Sequence, residues 1–219
     1  DTFLGIARAL GCPIADPHPV FHLNDEDRRQ AASILDRAGL AGHAPLVAVH
    51  PGASKEPRAW HPDRFAGLGR SLAGRYAARI ILLGSAAERG LLERIAGGIP
   101  QKGVFLPAPH LSIKATGALI ERCHLFVGND SGPMHVAAAL GVPTVAIFGP
   151  GTPRRTAPIA ARGRVVAISK DYPCSPCRQD FFRECPPSPA GRPFCLEEIT
   201  IEEVERAAAL LLERTHKPI

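Results

Sequence analysis

The residues with the clearest chemistry are Gly128-Asn-Asp-Ser-Gly-Pro-Met-His135, which follow an apolar run ending at Val127 and precede Gly141 and Pro143. Pro133 suits the first position of a helix, and Gly141 with Pro143 suits its end. A strand, a tight turn and a helix N-terminus in that order outline an anion site. The amides of Ser131, Gly132 and the first helical turn have no partner inside the helix and face the place where a phosphate could sit. Gly132 lacks the Cβ that would hold a phosphate away. His135 falls in the first turn, where the helix dipole favours its neutral form and the ring can donate one hydrogen bond to an anion. The competing reading makes Asp130 and Ser131 plain helix caps and His135 a core residue.

A second loop, His50-Pro-Gly-Ala-Ser-Lys-Glu-Pro-Arg-Ala-Trp-His-Pro62, also follows an apolar run. Gly52 and Ser54 offer close backbone and a hydroxyl, and Lys55 and Arg58 bring positive charge. Two such loops at adjacent strand ends suit a diphosphate, although a polar loop with a packed Trp60 would read the same way. Gly84-Ser-Ala-Ala-Glu88 places Glu88 on the first turn of a helix, either as a dipole-favoured surface acid or as a carboxylate for ribose hydroxyls. A fourth loop, Phe148-Gly-Pro-Gly-Thr152, is similar. Farther on, Cys174, Cys177, Cys185 and Cys195 stand in a C-x2-C-x7-C-x9-C pattern. Four thiolates satisfy one tetrahedral zinc or iron ion in a structural role, and free thiols or two disulfides are the alternatives. Cys12 and Cys123, among apolar neighbours, are expected to be small core residues.

Short β-rich runs alternating with helical patterns must position these loops, which is the pattern of a parallel sheet wrapped by crossover helices. The expected strands are Leu46 to His50, Arg79 to Leu83, Val104 to Leu106, His124 to Val127, Thr144 to Phe148 and Val165 to Ile168. Helices are expected over about 62–74, 86–97, 112–122 and 133–140. Asn24 and Asp27 predict a capping box opening a helix to about Ala38, and Thr200 and Glu203 another opening a helix to about Glu213. The first 23 residues read as a short helix and an extended connector, and 172–196 as a Pro- and Cys-rich loop without periodicity.

The 219 residues, 45% hydrophobic and 21% charged, exclude a disordered or fibrous chain. No apolar run approaches the roughly 18 residues of a membrane span. A net charge of +5 with scattered basic residues favours anionic ligands weakly. A nucleic-acid module built on the cysteines would need aromatic or basic clustering around them, and the segment offers little, so no nucleic-acid partner is expected. The N-terminus has no initiator Met and no signal-peptide pattern and reads as the start of a fragment.

Four ordered motifs make the chain resemble glycosyltransferase family nine, the bacterial ADP-heptose:lipopolysaccharide heptosyltransferases. They are Pro51-Gly-Ala-Ser54 with the basic Arg58 two before Trp60; Gly84-Ser85 with Glu88; Val127 to His135 continuing into Gly141 to Gly149; and the cysteine segment ending Cys195-Leu-Glu-Glu-Ile-Thr200. The resemblance covers about residues 40 to 214. It implies an α/β fold, a Rossmann-like doubly wound parallel sheet, as the C-terminal half of a two-domain GT-B enzyme. Residues 41–219 would then be the nucleotide-sugar-binding domain, and 1–40 a connector and helix leading from an N-terminal acceptor domain not present in the sequence.

By the same resemblance, Ser54 and Arg58 contact the diphosphate, Glu88 the nucleoside ribose, and Asp130, Ser131, Gly132 and His135 the diphosphate and sugar. Arg58 stands where the family commonly has Lys, which keeps the charge but presents a planar fork. The implied reaction is an inverting transfer of heptose from an ADP-sugar to the lipopolysaccharide core, with its base in the absent domain. Helix amides with Lys55, Arg58 or both would neutralise the leaving diphosphate without an organic cofactor. The implied location is the cytoplasm at the inner face of the bacterial inner membrane, which allows peripheral contact with it. A non-catalytic nucleotide-sugar-binding module, or a glycosyltransferase using another nucleotide sugar, is the alternative.

Overall fold

A computed structural model describes the chain except residues 1, 15, 43–44, 109, 161–163, 175–176, 178–181, 184 and 216–219. Among the described residues, six strands form one parallel sheet: β1 (Leu46–His50), β2 (Arg79–Leu82), β3 (Val104–Phe105), β4 (Leu125–Asn129), β5 (Thr144–Ile147) and β6 (Val165–Ile168). Every residue of β1, β4 and β5 is buried, as expected of apolar strands covered on both faces. Their order across the sheet is β3-β2-β1-β4-β5-β6. Winding reverses between β1 and β4, and a sheet of this order leaves a crevice outside the carboxyl ends of those two strands. Val49 pairs there with Val127, and His50 with Gly128.

Alternation along the strands divides the core into two layers. Val47, Val49, Leu125, Val127, Val145 and Ile147 face a layer with Trp60, Phe65 and Leu72. It contains residues of α3 (Pro62–Tyr76), α4 (Arg89–Gly97) and α9 (Ile201–Thr215). Leu46, Ala48, Phe126, Ala146 and Phe148 face the other layer, with α2 (Asp25–Arg37), α5 (Ile113–Glu121) and α6 (Gly132–Ala139). The chain opens with α1 (Thr2–Ala9), and α2 packs against α5 with Ala31 and Leu35 buried. Both expected capping boxes form. Asn24 accepts from the Asp27 amide at 2.8 Å while Asp27 accepts from the Asn24 amide at 2.9 Å. Thr200 and Glu203 make the same reciprocal pair at 3.2 and 2.9 Å.

The differences from the sequence reading are local. β4 runs on through Gly128 and Asn129 because both pair with β5. The expected helix over 86–97 splits into a 3-10 turn, Ala86–Glu88, and α4. Single-turn helices α7 (Pro153–Thr156) and α8 (Phe194–Glu197) were not foreseen, since one turn is too short to show periodicity. Cys123 is buried as expected, but Cys12 is exposed because it follows α1 in a connector lying on the surface. No helix among the described residues is long and apolar enough to cross a membrane.

Candidate functional site

Asn129, the last residue of β4, organises the crevice. Fully buried, it donates from Nδ2 to the carbonyls of Pro51 at 2.7 Å and Gly52 at 3.3 Å, and its Oδ1 accepts from the Trp60 amide at 3.0 Å. One amide side chain thus fastens both ends of the loop after β1 to the tip of β4. Trp60 anchors the far end, with its ring buried edge-on to Phe65 and its Nε1 donating to the Ile199 carbonyl at 2.9 Å.

Between those fastenings the loop makes a 3-10 turn, Glu56–Arg58, that delivers Arg58 to the crevice. The Arg58 guanidinium forms a short ion pair with the Asp130 carboxylate and donates to Ser54 Oγ at 3.2 Å and to the Asp130 carbonyl at 3.4 Å. The side chains of Arg58 and Asp130 are 19% and 10% exposed, so the pair sits mostly out of water. The Asp130 carboxylate therefore does not cap α6. Ser131, the N-cap residue, makes no side-chain bond to the helix either; its Oγ donates to the Asn129 carbonyl at 3.2 Å and lies 3.4 Å from His50 Nδ1. Simple helix capping is thereby excluded for both residues, and the α6 N-terminus is left open toward the crevice. A Cβ on Gly132 would meet no protein atom within 4 Å, so that side of the helix start has room for a ligand. His135, one turn on, is exposed rather than in the core.

The opposite wall is Glu88. Its Oε2 accepts from the Ser85 amide and Ser85 Oγ, each at 2.7 Å. Its other oxygen lies against Gly52, where an added Cβ would fall 1.8 Å from Oε1 and 3.0 Å from His50 Cε1. A side chain here would push the carboxylate away from the first loop, and glycine lets the two pass this close. His50, at the end of β1, forms the floor. Burial lowers its pKa below the usual histidine value and the nearby Glu88 carboxylate opposes that shift in part, so the ring is neutral at pH 7.

A cleft of about 630 Å³ is lined by His50, Ser54, Arg58, Ser85, Glu88, Asp130, Ser131, Gly132 and His135, with Ala53 and Pro133. It gathers seven of the eight expected donor-binding residues from three separate loops. Lys55 is the exception: its backbone is extended and its side chain exposed, and it falls outside the lining while Ser54 falls within it. His50, Ser85 and Asn129 join or support the site beyond the residues expected from the sequence. A polar residue closing an otherwise apolar buried strand, as His50 and Asn129 do, is the signal that marks them.

The cysteine segment lies apart from the cleft lining. Cys174, Cys177, Cys185 and Cys195 are partly buried and unbridged, so the disulfide alternative is not realised. Burial, then the neighbouring Cys174, Cys185 and Cys177, push the Cys195 thiol up to about 12. Among the described residues, no group of three or more Cys, His, Asp or Glu side chains is arranged to hold a metal ion. Much of the intervening loop, including 178–181, lies outside the described residues.

Comparison with known proteins bears on the family and the fold. The family model of glycosyltransferase family 9 (heptosyltransferase) matches residues 2–185. Lipooligosaccharide heptosyltransferase 2 of Haemophilus influenzae is 31% identical over 166 residues, 71% of this chain and 47% of that protein. Among solved structures, an ADP-heptose lipopolysaccharide heptosyltransferase II of E. coli superposes with a TM-score of 0.73 at 25% identity, covering 94% of this chain and 57% of the other. A glycosyltransferase family 9 protein of Veillonella parvula shares the fold with a TM-score of 0.77 at 23% identity, covering 96% and 59%. The chain spans about half the length of the curated relatives it matches. Matched by the family model over most of its length, this chain belongs to glycosyltransferase family 9, the heptosyltransferases.

Proposed function

We propose that this chain is the donor-binding part of an inverting glycosyltransferase that moves heptose from ADP-heptose to the lipopolysaccharide core. The observation that carries the reading is the convergence of Ser54, Arg58, Glu88, Asp130, Ser131, Gly132 and His135 on one cleft at the carboxyl ends of β1 and β4. The open N-terminus of α6 offers amides to the diphosphate, and Arg58 adds a charge-assisted donor beside them. Glu88, rigidly held by Ser85, presents a carboxylate edge to ribose hydroxyls. Asp130 and His135 flank the sugar side. As the bond to the anomeric carbon breaks, negative charge grows on the diphosphate, where these donors are already in place. Asp130 is engaged with Arg58, which suits donor positioning rather than proton abstraction.

The base that activates the acceptor hydroxyl belongs, on this reading, to an N-terminal acceptor domain in the full-length enzyme, which works at the cytoplasmic face of the inner membrane. Thermal-shift measurements with ADP, UDP and GDP test the donor assignment: ADP should stabilise the chain most, and equal shifts would remove the base preference. The 219 residues alone should bind donor without transferring sugar, whereas an N-terminally extended protein should transfer it. Transfer by the short chain would overturn the division of labour.

The same proposal keeps a structural zinc or iron ion on Cys174, Cys177, Cys185 and Cys195, supported by their C-x2-C-x7-C-x9-C spacing. Elemental analysis of protein purified without chelator should find about one ion per chain, since four thiolates saturate one tetrahedral site. Metal-free protein with four titratable thiols and an unchanged melting temperature would remove it.

A further inference from the structure

The turn that delivers Arg58 to the cleft is gripped from its other side by a second arginine. Arg192, between Cys185 and Cys195 in the sequence, is only 12% exposed at its side chain. Its Nη1 donates to the Glu56 carbonyl at 2.6 Å and to the Ala59 carbonyl at 3.1 Å, and its Nη2 lies 3.4 Å from Glu56 Oε1. Glu56 and Ala59 bracket the 3-10 turn, whose own closing bond runs from the Ala59 amide to the Glu56 carbonyl at 2.9 Å. One guanidinium nitrogen therefore bridges the two ends of the turn while Arg58, within it, reaches the opposite way to Asp130 and Ser54.

Arg192 is itself held in place. The Ser188 amide donates to the Arg192 carbonyl at 2.7 Å, the Arg192 amide donates to Ser188 Oγ at 3.3 Å, and Pro187 bridges Pro193. Just beyond, Arg64 of α3 donates to the carbonyls of Glu197 at 2.6 Å and Ile199 at 2.7 Å and pairs with Glu197 Oε1 at 2.6 Å. The end of the cysteine segment is thus built onto the outer face of the same loop whose inner face lines the cleft.

We infer that Arg192 is a positioning residue for donor binding: by bridging Glu56 and Ala59 it fixes the turn that presents Arg58 to the diphosphate, and so couples the cysteine segment to the donor site. An arginine held at both nitrogens loses little further rotamer freedom when the ligand arrives, and the turn it clamps delivers Arg58 already oriented. The inference rests on the proposed role of Arg58 toward the diphosphate.

The test is a double-mutant cycle on the 219-residue chain, read by calorimetric titration with ADP, using Arg192→Met, Arg58→Met and both together. Methionine keeps most of the buried stem and removes the charged donors. Arg192→Met should weaken ADP binding about fivefold, the worth of roughly one hydrogen bond. Arg58→Met should weaken it more, and the double variant should bind no more weakly than Arg58→Met alone. Arg192→Lys should recover part of the loss, because one ammonium can still reach the two carbonyls. If Arg58→Met weakens binding but Arg192→Met does not, the coupling is wrong and the role of Arg58 stands. Fully additive losses would make Arg192 a general structural residue and overturn the inference. If Arg58→Met leaves ADP affinity unchanged, the diphosphate reading of Arg58 fails and the inference with it. Should Arg192→Met not fold by circular dichroism, the same cycle with Arg192→Lys decides, additivity again being the contrary result.

Discussion

Two strand-to-helix junctions face each other across the cleft, and they treat their helix starts in opposite ways. After β2, Ser85 and Glu88 form a capping box in which the Glu88 carboxylate accepts from both the Ser85 amide and the Ser85 hydroxyl, and the Glu88 amide closes on the Ser85 carbonyl at 3.1 Å. After β4, neither available cap is used: Asp130 turns to Arg58 and Ser131 to the Asn129 carbonyl, and α6 begins uncapped. A cap is worth about 1 kcal/mol, so withholding one is a cost that a bound anion would offset. On the proposed reading the contrast divides a nucleotide sugar between them: the open junction would take the diphosphate, and the closed one, whose carboxylate is fixed and partly exposed, would take hydroxyl groups.

The most damaging way to break this arrangement is Asn129→Ala, because the side chain ties both ends of the first loop to the open junction. Two buried carbonyls and a buried amide would lose their partner, costing about 3 kcal/mol or more of stability, and ADP affinity should fall with it. Chemical denaturation with a parallel ADP titration checks both. Asp130→Ala should cost about 3 kcal/mol, since it strands the Arg58 charge in a mostly buried site. Denaturation midpoints would show it, and a loss below about 0.5 kcal/mol would mean that the pair is in effect solvated.

A matched pair of smaller changes sharpens the comparison. Ser85→Ala should lose about 1 kcal/mol of stability through the broken cap while leaving the phosphate contribution to binding intact. Ser131→Ala, which gives up only the hydroxyl's 3.2 Å bond to the Asn129 carbonyl and no cap, should cost less stability than Ser85→Ala, yet weaken ADP about fivefold, the equivalent of one hydrogen bond from that hydroxyl to the phosphate. The opposite pattern in thermal melts and titrations would exchange the roles of the two junctions.

The smallest effect expected is from His50. Its folded pKa lies below the unfolded value of 6.5, so the unfolded chain binds more protons between those two values. Its contribution to stability is complete above about pH 6.5 and is lost as pH falls toward the folded value. Denaturation from pH 7.5 to 5 should therefore show a shallower decline for His50→Gln than for the parent chain.

The sheet was legible because its strands are short apolar runs, most of them stopped by Gly or Pro, and because the crossover helices α3, α4 and α5 carry apolar residues at a helical period, whereas α6, about two turns long, was marked by Pro133 and Gly141 instead. The site was legible where chemistry is packed into contiguous motifs: Asp130 to His135, and Gly84 to Glu88. What did not show in the sequence were the contacts between distant segments. Nothing in the spacing says that Arg58 pairs with Asp130, 72 positions away, or that Asn129 holds the ends of another loop. Lys55 and Arg58 looked equivalent as loop cations, and only the extended backbone at Lys55, against the 3-10 turn at Arg58, separates the exposed one from the one in the cleft. The cysteine segment has no period to read. Its contact with the first loop passes through Arg192, which no motif marks.

The central claim is that the diphosphate of the donor binds at the uncapped start of α6. A crystal structure of the chain with ADP measures this directly. The account predicts phosphate oxygens within about 3.2 Å of the Ser131 and Gly132 amides and of the Arg58 guanidinium, with the ribose hydroxyls on Glu88. Phosphate density instead at the Ala86–Glu88 turn, with Arg58 and the start of α6 untouched, would contradict it.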